Sequence, residues 1–339
     1  MIGRFRKVAP APAEPAAAAR APVEPKQSEG GKAEKLVTRL EWTVIRRLDG
    51  LLQGDYRSLF RGFGLDLADL REYQYHDDVR RIDWNVTARL NTPYVREYQE
   101  DREVDAWFAI DLSASVDFGS NDVRKRAVGA EFVTVLSRLL TRHGNRVGAL
   151  LYGDRVDTVL PARSGRRQTL HLAHALLTRP PLKRTGGTKL AELVESAVRV
   201  VRRRSLVFVV SDFVSEPGWA KPLGLLARRH EVIAVRLSDP LERAMPNLGM
   251  VVVEDAETGE QMVVDMHDRG FRKRYEEAAT RREAEIRDAF ADAGVDALEL
   301  ATDENLAEAI LRFADLRKRR TRLASGGALP KHLEAQRVV

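Results

Sequence analysis

An aspartate and two serines stand at alternate positions just past a short apolar run. The run is Val104-Asp105-Ala106-Trp107-Phe108-Ala109-Ile110, and Asp111-Leu112-Ser113-Ala114-Ser115 follows it. β-Branched and aromatic residues in such a run mark a strand buried on both faces. An acid and two hydroxyls at its carboxyl end lie where open α/β sheets bind their ligands. All three offer oxygen, the donor type that Mg²⁺ prefers. If the loop is extended, positions i, i+2 and i+4 point the same way and converge on one ion.

Two more places offer the same chemistry. Gly186 and Gly187 precede Thr188, and their backbone freedom lets the chain turn tightly and bring that hydroxyl inward. Asp212 ends a second apolar run, Leu206-Val207-Phe208-Val209-Val210-Ser211. Asp111, Ser113, Ser115, Thr188 and Asp212 are therefore the candidate metal ligands. A plainer alternative stays open: Asp111 and Ser113 cap the helix expected to begin near Asn121, and Asp212 caps a helix of its own.

The elements that must position these residues follow from periodicity. Residues 1–33 are rich in Ala and Pro, and the prolines break any helix, so a disordered tail is expected. Glu34 to Leu52 carries apolar residues at helical spacing. Helices are predicted over Asn121–Arg142, Gln168–Leu177, the stretch from Thr188 to about Arg203, Trp219–Arg229, Arg269–Ala293 and Glu304–Arg317. Strands are predicted at the two apolar runs, at Glu231–Leu237 and at Val295–Leu300. Two hairpins are expected: Arg146–Tyr152 with Arg155–Leu160 across Gly153-Asp154, and Met250–Glu254 with Gln261–Val264. Alternating strands and helices imply an α/β fold: a mainly parallel sheet, helices on both faces, one antiparallel edge strand. The expected divisions are 1–33 tail, 34–102 N-terminal helix and polar segment packing on the main domain, 103–318 main domain, and 319–339 basic tail.

Composition narrows the function classes. The 339 residues are 44% hydrophobic and 31% charged, as in an ordinary globular chain. A net charge of +6 is small beside 56 basic and 50 acidic side chains, so it does not argue for nucleic acid. The basic runs Arg202-Arg203-Arg204 and Arg317-Lys318-Arg319-Arg320-Thr321-Arg322 close helices and lack interleaved aromatics for base stacking. There is no cysteine, which excludes thiolate chemistry and Cys-ligated zinc. No apolar run approaches the roughly 20 residues of a membrane helix. His171 and His174, three apart on a helix, form a pair without a third ligand.

The set Asp111-x-Ser113-x-Ser115, Thr188 and Asp212 resembles the metal-ion-dependent adhesion site of the von Willebrand factor A fold, a Rossmann-like architecture. Upstream, Asp77-Asp78-Val79-Arg80-Arg81-Ile82-Asp83-Trp84 with Arg89, then Arg96-Glu97, resembles the bacterial family called domain of unknown function fifty-eight. The resemblance spans roughly residues 34 to 318. It implies Mg²⁺ or Mn²⁺ as cofactor and a MoxR-type AAA+ ATPase as partner. The implied function is metal-dependent protein–protein interaction in assembling or activating a client protein. Two departures stand out: His76 replaces the glycine usual before the two acids, and the membrane helices common in the family are not found here.

An enzyme is the competing reading. Asp111 could accept a phosphoryl group, but haloacid-dehalogenase-like phosphatases pair that aspartate with a second acid two residues on. Here that position is Ser113, which cannot protonate a leaving group at neutral pH. Gly186-Gly187-Thr188-Lys189 lacks the spacing of a phosphate-binding loop. The sequence therefore points to a cytoplasmic, non-enzymatic interaction protein, with a phosphohydrolase or a nucleic-acid binder as alternatives. Asp77, Asp78, Arg80, Asp83, Trp84, Arg89, Arg96 and Glu97 are expected either to brace the N-terminal helix or to form a partner surface.

Overall fold

Strand β4 (Asp105–Asp111) is the axis of the structure, because apolar residues fill nearly all of its length and force it to be covered on both faces. The computed structural model describes residues 4–7, 29–46, 48, 69–74, 79, 82, 84–90, 92–97, 105–120, 123–182 and 187–324. Two compact units divide the chain: Met1–Leu51 with Asp105–Phe313, and Leu52–Val104 with Ala314–Val339.

In the first unit, β4 is flanked by β5 (Arg146–Tyr152) and β7 (Leu206–Ser211), both parallel to it. Beyond β7 lie β8 (Glu231–Ser238) and β11 (Asp296–Ala301), also parallel. Beyond β5 lies β6 (Val156–Arg163), antiparallel as the hairpin at Gly153-Asp154 required. The six-stranded order is β11-β8-β7-β4-β5-β6. This is the mainly parallel sheet with one antiparallel edge strand that the sequence implied.

Helices cover both faces, and an aromatic trio marks each contact. On one face, Phe108 of β4 stacks on Phe208 of β7 at 5.0 Å, and both meet Phe132 of helix α3 (Lys125–Arg142) edge-on at 6.5 and 5.9 Å. Gly129 lets α3 press in closely, since a Cβ there would lie 3.2 Å from Leu237 and 3.6 Å from Val210. On the other face, helices α5 (Leu190–Val200), α6 (Ala220–Arg229) and α7 (Arg269–Ala293) share a core with Ala109, Val207, Val209 and Ala234. There Phe213, Trp219 and Phe290 pack together, with centroids 4.7 to 5.7 Å apart.

Several boundaries differ from the sequence reading. Arg4–Lys7, expected within a tail, forms strand β1, which pairs antiparallel with β9 (Met250–Glu254). The pairing uses main-chain groups at a sheet edge, which composition does not reveal. Strand β10 (Gln261–Asp265) completes that small second sheet as the expected hairpin partner of β9. Helix α1 begins at Glu29, not Glu34, and runs to Leu40 before a wider turn over Glu41–Ile45. Its glycines sit in the first turn, while Ala33 and Val37 bury against Ala173 of helix α4 (Arg166–Thr178). Helix α3 begins at Lys125, because Ala114–Asp117 coils into a short 3₁₀ turn first. Helix α8 (Leu306–Ala324) continues past the expected boundary, since nothing in Arg317–Arg322 breaks a helix.

In the second unit, β2 (Asp69–Glu72) pairs antiparallel with β3 (Tyr94–Glu97). The short helix α2 (Trp84–Leu90) precedes β3, and the Tyr94 N–H donates to the Thr87 hydroxyl at 3.1 Å. Trp84 is largely exposed, as is Arg89. Arg96 and Glu97 lie in β3, whereas Asp77, Asp78, Arg80 and Asp83 lie outside the described residues.

Phe108 is the shared member of the first trio and is fully buried. Phe108→Ala is expected to lower unfolding free energy by about 3–5 kcal/mol. Urea denaturation should show an earlier midpoint with an unchanged slope.

Candidate functional site

The strand order explains why three distant segments meet. From β4 the chain moves outward through β5 and β6, then returns to lay β7 on the other side of β4. The connections thus leave β4 and β7 in opposite directions and open a crevice at their carboxyl ends, a topological switch point. Asp111 ends β4 and Asp212 follows β7, so the two acids face that crevice from neighbouring strands.

Asp111 is 1% exposed. Its Oδ1 accepts the Ser113 N–H at 2.9 Å, and its Oδ2 accepts the Ser211 hydroxyl at 2.7 Å. The first bond turns the chain, so the loop is extended only as far as Ser113. The 3₁₀ turn, rather than the expected extended alternation, carries Ser115 round, leaving its Oγ 3.2 Å from the Ser113 Oγ. Both serines are buried.

Asp212 is equally buried. Its Oδ1 accepts the Val214 N–H at 3.0 Å, and its Oδ2 takes the Lys125 ammonium at 2.7 Å. The next residue, Phe213, adopts φ +58°, a left-handed conformation that costs a non-glycine residue about 1 kcal/mol or more. Its ring, wedged between Trp219 and Phe290, holds the backbone there.

Thr188 joins from a third loop. Gly187 before it has φ +107°, which bears out the need for glycine there; Gly186 lies outside the described residues. The Thr188 carbonyl accepts the Ser215 hydroxyl at 2.8 Å and the Glu216 N–H at 2.9 Å, which laces this loop to the one after β7. The Thr188 side chain is 1% exposed, and its hydroxyl donates to Glu257 Oε1 at 2.6 Å. The Thr188 N–H donates to Glu257 Oε2 at 3.0 Å.

All five predicted residues are therefore buried at one edge of the sheet. The capping alternative does not hold for them. Helix α3 starts after Arg124 and α6 after Trp219, and neither start has a side-chain cap. His171 and His174 sit on α4 beside Arg163 and Arg167, and gain no third ligand among the described residues.

Four participants escaped sequence reasoning: Ser211, Lys125, Glu242 and Glu257. Lys125 is 1% exposed and bonds Glu242 Oε1 at 2.5 Å as well as Asp212. Glu242 belongs to a 3₁₀ turn whose capping residue, Asp239, also accepts Ser120 and Thr302 hydroxyls at 2.8 and 2.6 Å. That one carboxylate ties the loops after β4, β8 and β11 together. Ser211 alone left a local signal, as the hydroxyl next to the terminal acid of its strand.

Electrostatically the site is short of positive charge. Lys125 bonds Asp212 and Glu242, and the half-buried Arg282 lines the same small cavity, while Asp111 and Glu257 are held by N–H and hydroxyl donors. Burial, then the neighbouring Asp212 charge, pushes the Asp111 carboxyl up to about 6. Burial likewise raises Glu257, against the lowering effect of its Thr188 hydrogen bonds. Burial pulls the Lys125 ammonium down, but the Asp212 and Glu242 charges outweigh it and hold Lys125 above the usual lysine range.

The donors suit a hard divalent cation. Among the described residues, no three His, Asp or Glu side chains form a metal cluster, so any ion must draw on hydroxyls as well. Adjacent oxygens around octahedral Mg²⁺ stand about 2.9 Å apart, from ligand distances of roughly 2.0–2.1 Å. The Ser113–Ser115 Oγ pair at 3.2 Å is close to that edge.

A mainly parallel α/β sheet with an acid-and-hydroxyl cluster at its switch point is the class of protein these features define. The chain belongs to the family described as protein of unknown function DUF58, whose profile matches residues 69–285. It is 36% identical over 293 residues to the Mycobacterium tuberculosis protein Rv1480, covering 86% of this chain and 90% of that one. A Mycobacterium bovis protein, Mb1516, matches to the same extent. Among solved structures, an aerotolerance-related membrane protein from Bacteroides fragilis is 15% identical, covering 64% of this chain and 99% of its own, with TM-score 0.46. Manganese-loaded Plasmodium vivax TRAP is 21% identical, covering 40% of this chain and 57% of its own, with TM-score 0.32. Among the described residues, no helix is long and apolar enough to cross a membrane.

The raised Asp111 carboxyl sets a pH dependence. Its folded-state value of about 6 lies above the unfolded 3.8, so its contribution is present at low pH and is lost as pH rises through 6. Asp111→Asn removes the charge; its single carbonyl oxygen can accept only the Ser113 N–H, and its amide must donate to the Ser211 oxygen instead of accepting from it. In chelator at pH 8 it should be more stable than the wild type by up to roughly 3 kcal/mol. That gap should close as pH falls from 6 toward 4, read by urea midpoints across the range.

Proposed function

We propose that this chain is a metal-dependent protein-interaction module of von Willebrand factor A type. In this reading Asp111, Ser113, Ser115, Thr188 and Asp212 hold Mg²⁺ or Mn²⁺, directly or through water. The observation that carries it is the burial of all five donors at one switch point, where burial and the neighbouring Asp212 charge push the Asp111 carboxyl toward protonation. A divalent ion would supply that charge and a coordination position open to an acidic side chain of a partner. The chain's own residues do the holding. Ser211 and the Ser113 N–H orient Asp111, Lys125 orients Asp212, and the Ser215 and Glu216 bonds fix the Thr188 loop.

No catalytic step is assigned. Asp111 has a hydroxyl, not an acid, two residues on, and Lys125 is committed to two carboxylates. The family resemblance of the upstream segment supports a MoxR-type AAA+ ATPase as partner, acting with this chain on a client protein in the cytoplasm. Trp84 and Arg89, both exposed, are the described members of that segment open to such a partner.

Calorimetric titration of the full chain with MnCl₂ or MgCl₂ tests the site. Asp111→Ala should weaken binding at least 100-fold while the circular dichroism spectrum stays the same. Pull-down of a MoxR-type AAA+ ATPase from the same organism should be lost both in that variant and in EDTA. Retention of the ATPase in EDTA would refute the metal-dependent mechanism.

A further inference from the structure

We propose that the open edge of β10 is a docking site for an extended segment of a partner protein, apolar at its centre and basic at its ends. The segment adds to the small sheet as a further strand. This surface stands apart from the metal-dependent reading above. The sheet runs β1-β9-β10, so among the described residues β10 has a strand neighbour on one side only. The Glu260 carbonyl accepts the Asp255 N–H and the Met266 N–H donates to the Gly249 carbonyl, both at 2.8 Å. Antiparallel pairing alternates, so Met262 and Val264 bond β9 while Gln261, Val263 and Asp265 turn their N–H groups outward.

The edge is firm, and apolar where a strand would lie. Beneath it, Val251, Val253 and Val264 pack with Met245 and Met266, and half-buried Phe271 and Tyr275 of α7 close the cluster. Above it, Val263 is 59% exposed and shares a face with Val252 and Met250, while Met262 is 63% exposed. Natural sheets blunt such an edge with Lys, Pro or a bulge. Residues 261–265 contain no Lys or Pro, and their register with β9 is unbroken.

Charge selects the occupant. Residues 250–268 carry the acids Glu254, Asp255, Glu257, Glu260, Asp265 and Asp268, with no Lys or Arg. A second copy paired through the same edge would bring these acids together, whereas a strand with basic ends is attracted. The opposite edge of the sheet already follows this rule. Strand β1, Arg4-Phe5-Arg6-Lys7, is mostly basic and sets Arg4 opposite Glu254 in its register with β9. On β10, basic residues belong opposite Asp265 and opposite Gln261, which bonds Glu254 at 3.2 Å. Apolar residues belong opposite Met262 and Val263. In such strand addition main-chain bonds supply affinity and alternate side chains supply specificity.

The test uses the full chain and the peptide Lys-Arg-Thr-Val-Val-Arg-Lys, read by fluorescence anisotropy and amide hydrogen exchange. Expected are saturable binding and slowed exchange at the Gln261 and Val263 amides, which exchange fast in the free chain. Replacing the central valine of the peptide by proline removes one ladder donor and should weaken binding roughly 10-fold. Exchanging every Lys and Arg of the peptide for Glu should weaken it at least as much. On the chain, Val263→Pro spares the β9 ladder because that N–H faces outward, and should weaken binding by a similar factor. Slow exchange at Met262 and Val264 checks that its hairpin is intact; if it is lost, the three peptides on the wild type decide. No binding, equal affinity of the proline peptide, or unslowed exchange at Gln261 and Val263 would overturn the docking edge. Slowing of those amides by protein concentration alone, without peptide, would give the edge to a second copy and overturn the partner segment.

Discussion

A single buried ammonium makes this sheet edge possible. Lys125 is as inaccessible as the core phenylalanines, and it survives there only because Asp212 and Glu242 both bond it. Taking such charges out of water costs several kcal/mol per ion, and only close, fully bonded pairing offsets it. The arrangement also runs the other way. Without Lys125, two acids at the ends of adjacent strands would repel each other in a region closed to solvent. The ion pair is thus less a source of stability than the condition for keeping carboxylates at the switch point.

Lys125 does not finish the neutralisation. Its charge is committed to Asp212 and Glu242, while Asp111 depends on dipoles, the Ser211 hydroxyl and the Ser113 N–H. Dipoles favour the ionised form less than a full charge does, and burial prevails. Under the proposed reading, a divalent cation would supply the remaining charge, and the surrounding hydroxyls would be its further donors. Three neutral hydroxyls contribute oxygen without adding negative charge to an already acidic pocket.

Rigidity comes from the aromatic trios on either face. Phe108, Phe132 and Phe208 anchor the strands from one side, and Phe213, Trp219 and Phe290 anchor the loop after β7 from the other. Phe213 connects packing to site most directly, since its strained backbone follows Asp212 at once. Asp239 completes the scaffold by tying the loops after β4, β8 and β11 to a single carboxylate.

The periodic elements and the ligand types were legible from the chain alone. The apolar runs at Asp105–Asp111 and Leu206–Ser211 read as buried strands, and an acid ends the first and follows the second, a local pattern that needs no fold to be seen. Gly187 likewise announced its turn, because a left-handed residue beside Thr188 demands glycine. Tertiary structure decided the rest. Strand order, not sequence, placed β4 and β7 side by side at the switch point and so joined Asp111 to Asp212. Lys125, Glu242 and Glu257 carry no local signature, since a charged residue near a helix start or in a turn ordinarily faces water. Their burial follows from partners 69 to 117 positions away in the chain, and periodicity cannot register a contact at that range. Arg4–Lys7 entered a sheet for a similar reason: main-chain pairing at an open edge is blind to composition.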